Sequence, residues 1–152
     1  MTSASVDIAA INDLMAATAD SIDRYAKAQG RIGASHFAPA FNDRLVERQS
    51  ILTALQGEVR RLGGEPGQGG TMRASAARMV ANITSAVTGR NDRAIIDQIA
   101  RNEAHIRARF ETAMNNPDLS PQAARVIRES FGTVKQGHDR MREIKQAMDG
   151  GR

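Results

Sequence analysis

The sequence predicts an all-α protein, an up-down-down-up four-helix bundle with a long crossover that contains a short extra helix. Apolar residues recur at intervals of three and four along five segments, and no segment shows the strict alternation of a half-buried strand. Four of the segments are long, at roughly 23 to 29 residues or 35 to 43 Å, which is a matched set for a bundle. The five predicted helices cover residues 5–29, 35–62, 72–87, 92–114 and 121–148.

Length and composition favour a single domain over residues 1–152. The chain has 152 residues, 41% of them hydrophobic, and no cysteine. A chain of this length can bury about 70% of its unfolded surface, so a packed core needs no disulfide. The lack of cysteine excludes thiolate chemistry and cysteine-ligated metals. The first residues show no signal-peptide pattern and no uncharged stretch approaches the ~20 residues of a membrane span, so we expect a cytoplasmic protein without membrane contact.

The net charge of +4 raises the question of a nucleic-acid partner. Basic residues are scattered along every helical segment beside acidic ones, which is typical of solvated helix faces. Aromatic residues make up only 3% of the chain, so there is no stacking platform for single strands. We therefore expect no specific nucleic acid, and a DNA-compacting role rests on the isoelectric point alone.

The first two segments have clear ends. The first ends at Gly30 and Gly33, and the second begins at Ser35 as N-cap and ends at Gly63 and Gly64. The first segment carries one narrow apolar seam, formed by Ile8, Ile11, Met15, Thr18, Ile22 and Tyr25.

The long connection after the second segment decides the topology. Residues 63–91 form a crossover that starts with a glycine-rich stretch and contains the short helix 72–87. The glycine-rich stretch lacks the Gly-Lys-Ser/Thr ending of a phosphate loop. Such a length lets the chain return along the bundle, so we expect the second and fourth segments to run parallel.

The last two segments are joined by a short turn, which predicts antiparallel neighbours. The fourth segment begins at Asn91 or Asp92, and it is closed by the run that ends at Pro117. The fifth segment has Ser120 as N-cap and Pro121 at its first position, which is a favourable helix start.

Four short runs carry a resemblance to a known family. They are EVRRLGGEP at residues 58–66, SAVTG at 85–89, RNE at 101–103 and HDRMR at 138–142. In this order they resemble the bacterial ferritin-like four-helix-bundle family of unknown function, over nearly the whole chain. The resemblance implies a bundle with a helical crossover, and it implies no established activity.

An intact di-iron site is not expected. Such sites take a carboxylate from each of two helices and a Glu-x-x-His pair from each of the other two. The chain has no Glu-x-x-His. Its three histidines are His36, His105 and His138, and the residues three positions before them are Gly33, Asn102 and Lys135, respectively.

A weaker candidate metal site consists of Glu47, Glu103 and His138. Glu103 and His138 fall on apolar stripes, where ionisable groups need partners. If the second and fourth segments run parallel, Glu47 and Glu103 lie at the same level, each about a dozen residues from its helix start. Iron or manganese would be the ion held there.

Other interpretations compete with metal binding. A buried Glu–His hydrogen bond that fixes helix register is more common than a metal site on such stripes. Arg48 could neutralise either glutamate, and it would then disfavour a cation. At this level the first segment supplies Thr18 where the ferritin pattern needs a glutamate, and we expect Asp20 and Asp23 to point into solvent.

The leading functional hypothesis is a non-enzymatic cytoplasmic protein that acts by binding or assembly, in a stress setting. It needs no cofactor, and its partner is a second copy of the chain or another protein, with the helix 72–87 as the partner-facing piece. The alternative is a carboxylate and histidine metal-binding protein, for iron storage or oxidation, with an incomplete di-iron motif.

Overall fold

The computed structural model describes residues 3–32, 38–65 and 92–150, and these residues form four α-helices. The helices are α1 (Ser3–Ile32), α2 (Ala38–Arg61), α3 (Asp92–Met114) and α4 (Pro121–Gly150). The four long predicted helices are confirmed, with every end within three residues of its predicted position. The predicted helix 72–87 and the Ser35 cap lie outside the described residues.

The helices run in the predicted up-down-down-up order. α1 and α4 each pack against both α2 and α3, so α1 and α4 face each other across one diagonal. Gly64, just after α2, lies against Ile8 near the start of α1, which makes these two helices antiparallel. An ion pair between Asp13 and Arg109 joins the first half of α1 to the second half of α3. Since α2 and α3 both run antiparallel to α1, they run parallel to each other, and the short turn 115–120 then reverses the chain into α4.

The end of α2 confirms the predicted glycine stop. Gly63 has a φ of 86°, a backbone conformation that favours glycine. The Gly63 N–H donates to the Arg60 carbonyl at 3.0 Å, and the Gly64 N–H donates to the Val59 carbonyl at 2.9 Å. This pair of bonds is a Schellman motif, which satisfies carbonyls that the helix would otherwise leave free.

The start of α4 confirms Ser120 as N-cap and ties it to α1. The Ala123 N–H donates to Ser120 Oγ at 3.2 Å, and the Ala124 N–H donates to its carbonyl at 2.9 Å. Ser120 in turn donates its own N–H and hydroxyl to the two carboxylate oxygens of Asp7, at 2.9 and 2.6 Å. Asp7 is buried, so this contact locks together the first turns of two helices that run in the same direction.

The core divides into two apolar clusters along the bundle axis. One lies toward the starts of α1 and α4 and includes Ile11, Leu55, Phe110 and Ile127, and the other contains Tyr25, Phe41, Ile96, Ile99 and Met141. None of the described helices combines the length and the apolar composition that crossing a bilayer requires.

Candidate functional site

A buried polar layer separates the two apolar clusters, and all four helices contribute to it. The Tyr25 hydroxyl comes from α1, the Arg48 guanidinium from α2 and the Glu103 carboxylate from α3, while Gly137 of α4 packs against Arg48. On α3, Glu103 lies on the apolar stripe between Ile99, which belongs to one cluster, and Ile106, which belongs to the other. The layer therefore occupies the centre of the bundle.

Arg48 and Glu103 form a fully buried ion pair. The Arg48 Nη2 group donates to both carboxylate oxygens of Glu103, each at 2.6 Å. The exposed fractions of the two side chains are 0% and 1%. Removing one partner of such a pair leaves an uncompensated buried charge, which costs about 3 to 5 kcal/mol. The pair spans the diagonal between α2 and α3, so it fixes how these helices are aligned.

Tyr25 completes the shell of Glu103. Its hydroxyl donates to Glu103 Oε1, and its ring packs edge-on against Phe41, with ring centroids 5.6 Å apart. Burial raises the pKa of Tyr25 well above its usual value, and the charge of Glu103 raises that pKa further. The hydroxyl therefore stays protonated and acts as a hydrogen-bond donor.

Gly137 lets the backbone of α4 cover two arginine side chains. A Cβ atom at this position would lie 3.0 Å from Arg48 Nη2 and 3.1 Å from Arg44 Cδ. Such contacts are tighter than ordinary van der Waals packing, so a side chain at Gly137 would crowd both arginine side chains. Glycine in the middle of a long helix is the sequence signal that could have marked this contact.

The structure brings only one of the three predicted metal ligands into the centre. Glu103 is buried as expected, whereas Glu47 lies at the edge, where it accepts a hydrogen bond from Arg44. Burial raises the pKa of Glu47, and the charge of Arg44 opposes that shift. His138 is half-buried, and its Nδ1 has no hydrogen-bond partner. Among the described residues, no group of three or more histidine and acidic side chains could hold a metal ion.

One expectation for α1 is wrong. Asp23 is buried instead of solvated, with Lys27 Nζ at 3.4 Å. Thr18 is buried, and its hydroxyl donates to the Leu14 carbonyl of the same helix at 2.7 Å. The hydrogen bond from α1 to Glu103 comes from Tyr25, two turns further on, which apolar spacing marks only as part of the seam.

The central residues do not fit a di-iron centre. Such a centre needs several carboxylates and histidines that project inward from the four helices. In the part of the chain that the structure describes, the polar layer holds one carboxylate, that of Glu103, which is neutralised by Arg48 and receives a further hydrogen bond from Tyr25. The guanidinium group thus takes the position next to the carboxylate that a cation would need.

Comparison with known proteins supports this architecture. The sequence profile of the family described as Domain of unknown function (DUF2383) matches residues 7–116, which is more than two thirds of the chain. A solved structure from Anabaena variabilis, a two-domain protein containing DJ-1/ThiJ/PfpI-like and ferritin-like domains, superimposes with a TM-score of 0.77 at 15% identity. The alignment covers 97% of this chain and 41% of that protein, so this chain spans less than half of its length. No curated protein matches the sequence.

Proposed function

The chain belongs to the DUF2383 family, and we propose that it is a non-enzymatic cytoplasmic protein that acts by binding or assembly, with an internal cation in place of a metal ion. One observation carries the proposal, the buried ion pair between Arg48 and Glu103. In ferritin-like metal proteins the inward-facing carboxylates of the bundle hold metal ions. In this chain the corresponding carboxylate charge is already balanced by a side chain.

The energetics of the ion pair support exclusion of a divalent cation. An arginine side chain keeps its charge at physiological pH. A metal ion that took Glu103 would leave the Arg48 guanidinium buried without its counter-charge, at a cost of about 3 to 5 kcal/mol. This cost lowers the affinity for the metal by about two to four orders of magnitude, at 1.36 kcal/mol per factor of ten.

The burial of the layer directs the search for function to the surface. Arg48 and Glu103 are both inaccessible to solvent, so a substrate cannot reach them without separating the helices. Groups that act by contact must then lie on the outside of the bundle. We propose a second copy of the chain as the partner, with the predicted helix 72–87 as the contacting piece.

Metal content tests the main proposal. Tag-free protein is analysed for bound elements before and after aerobic incubation with ferrous iron, and the parent is compared with the double variant Glu103→Ala/His138→Ala. We expect substoichiometric iron and manganese in both proteins. Stoichiometric metal in the parent that is lost in the double variant would overturn the proposal and establish the alternative, an iron storage or oxidase protein.

Assembly is tested separately, by sedimentation equilibrium over a wide range of protein concentrations. We expect a dimer that dissociates on dilution, as mass action requires. A chain that stays monomeric at every concentration would contradict the homodimer, and the partner would then have to be a different protein.

A further inference from the structure

Four residues of α1 form a strip on the outer side of the helix. This outer strip consists of Asn12, Ala16, Ala19 and Asp23, which follow one another at intervals of four, three and four and therefore share one side of α1. Successive residues turn by about 100° around a helix, so Asp23 lies about 200° away from Tyr25, whose hydroxyl points to the centre of the bundle. The outer strip therefore faces away from the core.

The outer strip is buried although it faces outward. The Asp23 side chain is 4% exposed, whereas those of Asp20 and Asp13 on the same helix are 37% and 51% exposed. Ala19 is buried as well. The Oδ1 atoms of Asn12 and Asp23 are both buried, and neither accepts a hydrogen bond. Buried acceptors need donors, so we expect the segment that covers the strip to supply them.

No described helix lies outside α1. α2 and α3 pack against α1 from its two inner sides, and α4 lies across the diagonal. The residues that join α1 to α2 follow Ile32, which is nine positions or about 13 Å from Asp23 along the helix. The covering segment therefore has to come from the connection between α2 and α3.

The connection between α2 and α3 has to pass along the outside of the bundle. α2 ends beside Ile8 of α1, and α3 begins at the opposite end, where Ile95 and Ile96 belong to the same cluster as Ala28. α2 and α3 occupy one diagonal, so the connection runs outside either α1 or α4. Ile8 and Ala28 are about 30 Å apart along α1. Residues 66–91 can span this distance, since the 16 residues of the predicted helix alone rise about 24 Å.

Burial distinguishes the two routes. In α4, the residues that point directly away from the core are all exposed to solvent, namely Arg125, Glu129, Gly132 and Gln136. On α1 the outward side chain of Asp23 is buried. This difference favours the route along α1.

Charge favours the same route. Residues 66–91 contain three arginines and no acidic residue. Along α1 this cationic segment passes the carboxylate of Asp23, whose ion-pair partner Lys27 lies 3.4 Å away. Along α4 it would pass Arg128 and Lys135, which are exposed and form no ion pair with another described residue. Like charges repel, so the α4 route is disfavoured.

We propose that residues 66–91 dock along the outer strip of α1 in their own chain. The apolar side of the predicted helix 72–87 lies over the two alanines of the strip, and donors of the segment bind its two buried oxygen atoms. The opposite side of the segment stays available to a second copy of the chain. The proposal therefore goes beyond the proposed function and does not depend on it.

Distances between pairs of spin labels test the route directly. The chain has no cysteine, so the introduced cysteines are the only label sites. Ala81→Cys, off the predicted apolar stripe, is paired with Arg24→Cys on α1 in one protein and with Gln136→Cys on α4 in a second. Arg24 and Gln136 are both exposed, and each comes one position before a residue of the polar layer, Tyr25 or Gly137. We expect the distance to residue 24 to be shorter than the distance to residue 136 by at least about 10 Å, one helix diameter.

Three results of the distance measurement would overturn the proposal. They are equal distances, the reverse order, and distributions too broad to rank the two distances. Dilution with excess unlabelled protein leaves a distance within one chain unchanged. A short distance that disappears on dilution would place the segment on a second copy, so docking within one chain would be wrong. Oligomeric state is measured separately by sedimentation, so these failures are distinguishable from failure of the proposed homodimer.

Asp23→Ala tests the buried carboxylate, with Asp20→Ala as the matched control. Trypsin cuts the segment at its arginines when the segment leaves α1, so the cleavage rate reports the population of that open state. We expect Asp23→Ala to speed this cleavage about 10- to 100-fold, the effect of losing a hydrogen bond to a charged group. Asp20→Ala should leave the rate unchanged because its carboxylate is largely in solvent. Equal rates in the two variants would overturn the proposal, as would cleavage of the parent as fast as that of the urea-unfolded chain.

Discussion

Alanine substitution at two glycines of α4 tests the packing of the polar layer. Both Gly132 and Gly137 lie inside the helix, where replacing glycine by alanine stabilises a chain by about 0.8 to 1.0 kcal/mol through helix propensity. A Cβ at Gly132 would have no neighbour within 4 Å. We therefore expect Gly132→Ala to raise the free energy of unfolding by about 1 kcal/mol.

Gly137→Ala should behave in the opposite way. Its new methyl group would lie 3.0 Å from Arg48 Nη2, and that group cannot withdraw because both of its acceptor contacts, at 2.6 Å, are to Glu103. Overpacking of this kind costs about 1 to 3 kcal/mol. After the gain in helix propensity, the net change is a loss of about 0 to 2 kcal/mol, so the two variants should differ by about 1 to 3 kcal/mol.

Urea denaturation followed by far-UV circular dichroism measures both variants against the parent. Under two-state unfolding, a shift of the midpoint at constant slope reports the change in stability. If Gly137→Ala were stabilised as much as Gly132→Ala, the close contact between α4 and the arginine pair would not exist in solution, and the described layer would be wrong.

Three further experiments test the ionisable side chains in the polar layer and at its edge. Arg48→Met should lower the free energy of unfolding, measured by urea denaturation, by about 3 to 5 kcal/mol. The double variant Arg48→Met/Glu103→Leu should recover most of that loss, because an apolar pair leaves no buried charge. Equal losses in the single and the double variant would refute the pairing. Tyr25 is the single tyrosine of the chain, and its raised pKa means that the folded state resists its ionisation. The free energy of unfolding should therefore fall as the pH rises above 10, and the ultraviolet absorbance of the phenolate should appear only with unfolding. A reversible phenolate signal from the folded protein near pH 10 would contradict its burial against Glu103. The pKa of Glu47 is raised from its usual value of 4.5, so ionisation of Glu47 disfavours the folded state. The melting temperature of Glu47→Gln should therefore rise relative to that of the parent as the pH increases above 4.5. A difference in melting temperature that stays constant with pH would show that the pKa of Glu47 is not raised.

Much of the fold could be predicted from periodicity and punctuation. Apolar spacing predicts the four long helices, and Gly63 and Ser120 mark ends that the structure confirms by backbone and side-chain hydrogen bonds. The long crossover predicts parallel directions for α2 and α3, which places Glu47 level with Glu103. The contact of the neighbouring residue, Arg48, with Glu103 agrees with that level.

The sequence offers Arg48 as a side chain that neutralises a glutamate of the candidate site, and the structure confirms that pairing with Glu103, although apolar spacing alone does not choose between Glu47 and Arg48 at that level. A buried arginine reads as a surface residue in any hydropathy pattern, since arginine is rarely fully buried without a partner. Arg44 and Arg48 both continue the stripe of Phe41 and Ile51, and Glu47 also borders it because it lies one turn before Ile51 and two turns before Leu55. Only the position of the Glu103 carboxylate on α3 decides whether Glu47 or Arg48 faces the centre of the bundle.

Apolar spacing places Tyr25 on the correct seam but does not predict its hydrogen bond to Glu103. Whether Tyr25 reaches Glu103 depends on how far α1 is shifted along its axis relative to α2, and the seven positions from Thr18 to Tyr25 correspond to about 10 Å along a helix. Apolar spacing defines the face of a helix and leaves its axial offset open. Packing of Tyr25 against Phe41, together with the bond to Glu103, fixes that offset.

The central claim is that the Arg48 guanidinium takes the place of a metal cation at Glu103. Calorimetric titration of Mn²⁺ into the metal-free parent tests it most directly, with Glu103→Gln as the matched variant. The account predicts no saturable heat in either protein. Saturable stoichiometric binding by the parent that disappears in Glu103→Gln would contradict it, because the carboxylate would then be free to hold a metal ion.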